Sequence, residues 1–300
     1  MFDILIIGSG PSGMTAAIYG ARVNLKVGII ERGAPGGAMV NTAKIENYPG
    51  FASIDGASLS MTMFEQMMNL GVEFIGEETL EVIKENDKFV VKTNYNTYEA
   101  KTVIIATGTT MRKLNVKGED KYSGYGVSWC AVCDGSFYKG KDVIVVGGGN
   151  SAIEEAIYLS GIVRKVYVVH RRQEFRADPM AVSKLKACPN VEFILDSTIK
   201  EFSGDKVLNK VLIQNVKDNT EAWMDIDGVF EFVGQMPNSE LFNNFDIVND
   251  KGYIPVDQNY ETKVKGLFAC GDIVEKGVRQ IATAVNDGAI SALSASRLCK

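Results

Sequence analysis

The sequence predicts an α/β chain made of two similar strand–turn–helix–strand folds, the second inserted into the first. Three observations carry that expectation. An apolar run ending in a glycine-rich turn occurs twice, at residues 3–13 and 142–152. Segments that would complete the first copy reappear only after the second, at residues 266–272. The length, 300 residues, suits two domains of roughly 150 residues each.

Composition agrees with a globular chain: 46% apolar and 23% charged residues, with 30 glycines against 7 prolines, which suits many tight turns between strands and helices. The net charge of −5 argues against nucleic acid or an anionic membrane as partners reached by bulk charge, while leaving room for a local phosphate-binding patch. No apolar run approaches the roughly 18 residues of a membrane helix, and residues 1–7 read as a first strand rather than a signal peptide. Five cysteines do not make a disulfide scaffold. With one histidine, His170, any Ser-His or Cys-His mechanism must use it. The expected setting is reducing and cytoplasmic.

The first copy runs from the strand Asp3–Ile7 through Gly8-Ser9-Gly10-Pro11-Ser12-Gly13 to a helix over Met14–Val23. A second strand, Lys26–Ile30, then ends at Glu31. A pyrophosphate resting on backbone N–H groups at a helix N-terminus needs such a turn, because side chains would block it. Glu31 lies 23 residues after Gly8, near the roughly 20 expected of a carboxylate that bonds a ribose 2′-OH. The alternative is a purely structural turn.

The second copy has the strand Asp142–Val146, the turn Gly147-Gly148-Gly149-Asn150-Ser151-Ala152, a helix to Leu159 and the strand Lys165–Val169. Where the first copy ends in an acid, this one ends in His170-Arg171-Arg172, with Arg176 one turn on; Arg171 lies 24 residues after Gly147. Guanidinium groups there pair with a 2′-phosphate through charge-assisted, often bidentate bonds. The second copy is therefore expected to take NADP(H), and the first FAD or NAD. The competing reading of the arginines is a solvated surface patch.

Val103–Gly108 reads as a buried strand ending at Thr107-Gly108, just before the second fold. Gly266–Asp272 is another, running into Gly271-Asp272 ahead of a helix over Ala282–Leu298. The Asp272 carboxylate could hold a ribityl chain or the surroundings of a flavin phosphate. Hinges are expected near Lys113–Gly118 and Asn238–Asn244.

Trp129-Cys130-Ala131-Val132-Cys133-Asp134-Gly135 ends just before the second turn, with Cys133 fourteen residues from Gly147. A C-x-x-C pair can be a redox dithiol, half a zinc site or two packed thiols. Zinc needs two more ligands, and none stands at suitable spacing, so no metal is expected. The redox reading places Cys130 and Cys133 at the centre, with Asp134 as proton donor and acceptor. Cys188, Cys270 and Cys299 are expected to be incidental. Met61, Met63, Met67 and Met68 suit core or dimer packing.

Together the Gly8–Gly13 turn, Cys130–Gly135, Gly147–Ala152 followed by Glu154-Glu155-Ala156, His170-Arg171-Arg172 with Phe175-Arg176-Ala177, and Gly271-Asp272 resemble the low-molecular-weight thioredoxin reductases over essentially the whole chain. The resemblance implies two dinucleotide-binding, Rossmann-like domains. FAD would be bound by residues 1–113 and 245–300, and NADPH by the inserted residues 114–244. It implies electron flow from NADPH through FAD and the Cys130–Cys133 disulfide to thioredoxin, a homodimer formed largely by the flavin domain, and rotation of the inserted domain. It adds Gly36, Gly37, Asn47, Arg279 and Gln280 as FAD contacts and Glu154 on the NADPH side. Departures from the family pattern are Ala38 in place of a flavin-contacting glutamine, Ser136 in place of a phenylalanine, and Tyr125 in place of a basic residue; the last two fall on the presumed thioredoxin-docking face.

Three other functions fit parts of the pattern. A dithiol oxidase would run the same centre backwards to oxygen, but such relatives usually weaken the basic cluster that is intact here. A flavin reductase for ferredoxin or quinones would not need the cysteines. A zinc-binding module would lack flavin altogether.

Overall fold

The computed structural model describes residues 1–42, 45 and 47–299, apart from the side chains of Asn41, Val132 and Cys133. The expected Cys133 thiol thus lies outside the described residues. The chain forms two compact units, one from Met1–Thr110 together with the residues from Met236 onward, the other from Met111–Gln235.

The first unit opens with β1 (Phe2–Ile7), α1 (Pro11–Arg22), β2 (Val27–Ile30), α2 (Gly56–Met68) and β3 (Glu73–Ile75). Then come β4 (Thr79–Glu85), β5 (Lys88–Thr93), β6 (Thr97–Ile105) and β7 (Thr109–Met111), the last leading into the second unit. There follow α3 (Glu119–Tyr122), β8 (Val127–Ser128), α4 (Ala131–Asp134), β9 (Asp142–Gly147), α5 (Asn150–Ser160), β10 (Lys165–His170), α6 (Pro179–Lys186) and β11 (Val191–Leu195). Strands β12 (Ser197–Gly204), β13 (Leu208–Asn215), β14 (Glu221–Asp225) and β15 (Gly228–Phe232) complete it. The chain returns through β16 (Gln235–Pro237), β17 (Leu267–Ala269) and α7 (Ile281–Ser296). Among the described residues no helix is long and apolar enough to cross a membrane.

The sheet of the first unit runs β3-β2-β1-β6-β5-β4, with β17 also on β6. Strands β2, β1, β6 and β17 are parallel, whereas β4 and β5 form an antiparallel wing. Successive residues of β1 serve opposite faces: Ile4 and Ile6 pack under α1 and α2, while Leu5 and Ile7 pack with Phe242, Ile254 and Ile273. Burial on both faces explains why the strand reads as a continuous apolar run instead of an alternation. Helix α1 begins at Pro11, three residues before the expected Met14, because proline at the first helical position loses no needed hydrogen bond.

The second unit repeats the plan as a parallel sheet, β11-β10-β9-β15-β8. Val143 and Val145 face α5 and α6, and Ile144 and Val146 face the antiparallel β12–β13–β14 layer. In each unit the first strand of the motif sits where strand order reverses, the place at which open α/β sheets bind ligands.

The chain crosses between units at 110/111 and 235/236, against expected domain limits at 113/114 and 244/245. The larger difference has a local cause. Thr107 Oγ1 donates to the Asn238 carbonyl and Asn238 Nδ2 donates to the Thr107 carbonyl, both at 2.8 Å, so the return segment is tied to the first unit from its start. Phe242 then enters that unit's core.

Helices α1 and α7 cross so closely that a Cβ on Gly288 would lie 2.2 Å from the Ser12 carbonyl oxygen. Gly288→Ala is expected to destabilise the first unit by about 1–3 kcal/mol, although alanine is the better helix former. A lowered urea midpoint checks this, and an unchanged or raised one contradicts it. In the second unit, Gly135 packs on Leu159 and Tyr158 of α5, and Glu155 lies one turn earlier on that face. Burial, then the neighbouring Glu154 charge, push the Glu155 carboxyl up to about 7 from 4.5. Between those values the folded chain holds a proton that the unfolded chain has released, so stability falls as pH rises and levels off above the folded value. Glu155→Gln should therefore have the higher denaturation midpoint at pH 8, by about 1–3 kcal/mol, with the gap closing toward pH 5. A gap independent of pH contradicts it.

Candidate active site

Gly8 has φ +103°, and a Cβ there would stand 2.4 Å from the Ala106 oxygen at the end of β6. Only glycine turns the chain that tightly. Gly10 is the N-cap of α1, without a side-chain cap, and a Cβ on it would meet nothing within 4 Å. The first-turn amides of a helix have no partner within it, and the space beside Gly10 is open, the arrangement that receives a phosphate. Gly13 is held tight, since its Cβ would fall 1.9 Å from the Gly8 oxygen.

Gly36 and Gly37 form one wall of this groove. The Gly36 amide donates to the Ser9 carbonyl at 2.9 Å, and Gly37 approaches Gly10. Ala38 is exposed. Glu31 accepts from the Ser9 amide and hydroxyl, each at 2.9 Å, and from the Gly33 amide at 2.9 Å. It lines a cleft of about 570 Å³ with Gly8, Glu78, Thr107 and Asn238, within the usual size range of ligand pockets. Gly108, at φ +63°, accepts from the Asn238 amide at 3.0 Å.

On the opposite wall, Gly271 fits against Ser12, where a Cβ would lie 2.3 Å from the hydroxyl. Asp272 follows in a 3-10 turn. Its Oδ1 is buried without a hydrogen-bond partner, and the nearest ammonium, Lys276, is 3.7 Å away. Burial raises its pKa above the ordinary carboxyl value, partly offset by Lys276 and Arg279. An orphaned acceptor beside an uncapped helix fits a dinucleotide that carries a hydroxylated chain. Arg279 reaches the Asp272 and Val274 carbonyls and lies over the Tyr253 ring, and Gln280 accepts from Asn47 Nδ2 at 3.0 Å. The expected FAD-side residues thus come together within one unit.

The second unit repeats this groove. A Cβ on Gly147 would stand 2.4 Å from the Phe232 oxygen at the end of β15 and 2.8 Å from Ala152. Gly149 caps α5 without a side-chain bond and has nothing within 4 Å of its Cβ position. The basic loop folds over this turn. The His170 ring lies on Gly148, the Arg176 amide donates to the Gly148 carbonyl at 2.7 Å, and the Asp178 amide donates to Asn150 Oδ1 at 2.8 Å. Arg171, Arg172 and Arg176 are exposed, as are Ser151 and Glu154. Burial, with those three guanidiniums, lowers the His170 pKa below its usual value, which favours the neutral imidazole. The open glycine and the exposed arginines fit a phosphorylated dinucleotide.

The redox segment follows β8. Cys130 is disulfide-bonded, whereas Cys188, Cys270 and Cys299 are free thiols. Burial pushes the Cys270 thiol up to about 12, leaving it inert. The Cys130 amide donates to Ser128 Oγ at 3.0 Å, and the Asp134 amide donates to the Cys130 carbonyl at 3.2 Å. The Asp134 charge helps burial to raise the Tyr138 phenol.

Sequence reasoning missed several supports. Ser9 and Ser128 brace the first turn and the cysteine segment. Asp287 accepts from the Gly271 amide at 3.1 Å, from Lys276 Nζ at 2.6 Å and from the Tyr260 hydroxyl. An acid inside an otherwise small and apolar helix was the signal available for Asp287.

The pyridine nucleotide-disulphide oxidoreductase family matches residues 2–288. The thioredoxin reductase of Bacillus subtilis is 47% identical over 98% of this chain and 93% of its own. The solved thioredoxin reductase of Lactococcus lactis is 41% identical with a TM-score of 0.95, covering 100% of this chain and 99% of that one. That of Streptococcus pyogenes is 47% identical with a TM-score of 0.69, covering 99% and 98%. The chain belongs to the pyridine nucleotide-disulphide oxidoreductase family and, within it, to the low-molecular-weight thioredoxin reductases.

Proposed function

We propose that the chain reduces the disulfide of thioredoxin at the expense of NADPH, through FAD and a Cys130–Cys133 disulfide. The observation that carries this reading is that one unit holds both the disulfide-bonded Cys130 and a phosphate-ready groove under a basic loop. When bound, FAD supplies a carrier that takes a hydride from the dihydronicotinamide and delivers the electron pair to a disulfide.

The chain's own residues do the rest. Gly10 and the first turn of α1 receive the pyrophosphate, Glu31 bonds the unmodified ribose, and Asp272 Oδ1 accepts from a hydroxyl of the flavin's chain. Arg171, Arg172 and Arg176 select the 2′-phosphate. The electron pair cleaves the Cys130–Cys133 bond. One resulting thiolate attacks the thioredoxin disulfide to form a mixed disulfide, and the other displaces it. Asp134 holds and returns the proton, so that NADPH, one proton and a disulfide give NADP⁺ and a dithiol.

The nicotinamide and the dithiol ride on one unit and need contact distances of about 3–3.5 Å to the same ring. They are therefore read as alternating by rotation of the inserted unit about the two crossings. A homodimer is read through the flavin unit, where Tyr19, Val23, Met61 and Met68 leave apolar surface exposed on and beside α1 and α2. The cytoplasm is the reading for location.

NADPH consumption is expected to depend on added thioredoxin and to fall to background in Cys130→Ser. Undiminished turnover in that variant would remove the disulfide from the path. Arg171→Ala with Arg172→Ala is expected to raise KM for NADPH about 10- to 100-fold, since a hydrogen bond to a charged group contributes roughly 1.5–3 kcal/mol, with little change for NADH. Equal effects on the two nucleotides would dismiss the 2′-phosphate assignment.

A further inference from the structure

A buried pair of acids stands behind the cysteine segment. Glu231 lies on β15, in the middle of the parallel sheet, opposite Val146 of β9. Phe230 and Phe232 on either side of it face the helix layer, so Glu231 points to the other layer. It is 0% exposed, and Glu119 of α3 is 2% exposed. A charged side chain within the run Gly228–Phe232 has no role in packing a sheet.

The hydrogen bonds assign each carboxyl a state. Glu119 accepts from the Leu114 amide at 3.1 Å and the Val116 amide at 3.2 Å, as a carboxylate does. Glu231 Oε2 accepts from the indole N–H of Trp129 at 3.0 Å, while its Oε1 has no partner to accept from, and the carboxyl faces Glu119. One proton on Glu231 resolves the arrangement. Its O–H then donates toward Glu119, and Oε2 still accepts from Trp129. Trp129 directly precedes Cys130, and Lys113 Nζ covers its ring at 5.4 Å while pairing with Asp120 at 2.8 Å. Glu119, the Lys113–Asp120 pair and the Trp129 N–H are the charged and polar side-chain groups facing Glu231.

We propose that Glu231 is a positioning residue for the redox segment: it anchors the Trp129 indole beside Cys130, and the proton it shares with Glu119 locks the two carboxyls together, so that loss of that proton parts them and shifts the anchored indole. This rests on the dithiol reading of the segment. Burial, followed by the Glu119 charge, pushes the Glu231 carboxyl up to about 8 against the opposing pull of the Trp129 indole, which favours the carboxylate, so the contact with Glu119 opens in mildly alkaline solution. Above that pH two buried carboxylates face each other and repel.

The test uses FAD-loaded full-length protein carrying Trp223→Phe, which leaves Trp129 as the single tryptophan of the two in the chain. Trp129 emission is expected to show one transition near pH 8. Adding Glu231→Gln, which keeps an acceptor for the indole and hydrogen for Glu119 but cannot titrate, should abolish it. About one pH unit above the midpoint only about a tenth of molecules keep the proton, so thioredoxin reduction by the parent should fall several-fold relative to the Glu231→Gln variant. A transition that survives in that variant, or is absent from the parent, overturns the proposal; so does an alkaline rate profile identical in the two. Emission needs no turnover, so failure of thioredoxin reduction at every pH would strike the proposed function and not this lock.

Discussion

The close approach of two backbones at the ends of paired strands is the constraint on which the chemistry depends. Gly8 passes the end of β6, and Gly147 the end of β15, at separations that would put a Cβ 2.4 Å from a carbonyl oxygen in both cases. Because the chain turns there without a side chain, a helix can start directly over the sheet edge, and its first amides remain uncapped. Both units are built in this way at the point where strand order reverses, an arrangement that suits an anion.

The two copies diverge at the end of the next strand. Glu31 closes the first groove with a carboxylate and the second carries a basic loop fastened to its own glycine turn. The cysteine segment belongs to the second unit alone. The described buried side-chain atoms that lack a hydrogen-bond partner are Thr79 Oγ1, Glu155 Oε2, Glu231 Oε1 and Asp272 Oδ1. Thr79 lines the Glu31 cleft, Asp272 borders α1, and Glu155 and Glu231 lie on elements packed around the cysteine segment. Unpaired buried polar groups cost stability, and here they lie beside the Glu31 cleft, α1 and the cysteine segment.

The glycine turns were legible in the sequence because Gly8, Gly13 and Gly147 leave no room for a side chain, and the contrast between Glu31 and the arginines was legible as a difference in charge at matching offsets. The continuous apolar runs of β1 and β9 were legible because both faces are buried. The wing β4–β5 and the layer β12–β14 were not, since partly exposed antiparallel strands leave only weak alternation. Neither were the ties that depend on distant partners. Asn238 meets Thr107 across 131 residues, and Trp129 meets Glu231 across 102; no local pattern announces either.

The account requires two electron-accepting centres, a flavin and the disulfide at Cys130, in one chain. Anaerobic titration of the purified, FAD-loaded protein with NADPH, followed by flavin absorbance and free-thiol count, tests this most directly. Uptake of two electron pairs per chain with the appearance of two new thiols is the expected result. Uptake of one pair with no new thiol would contradict the account.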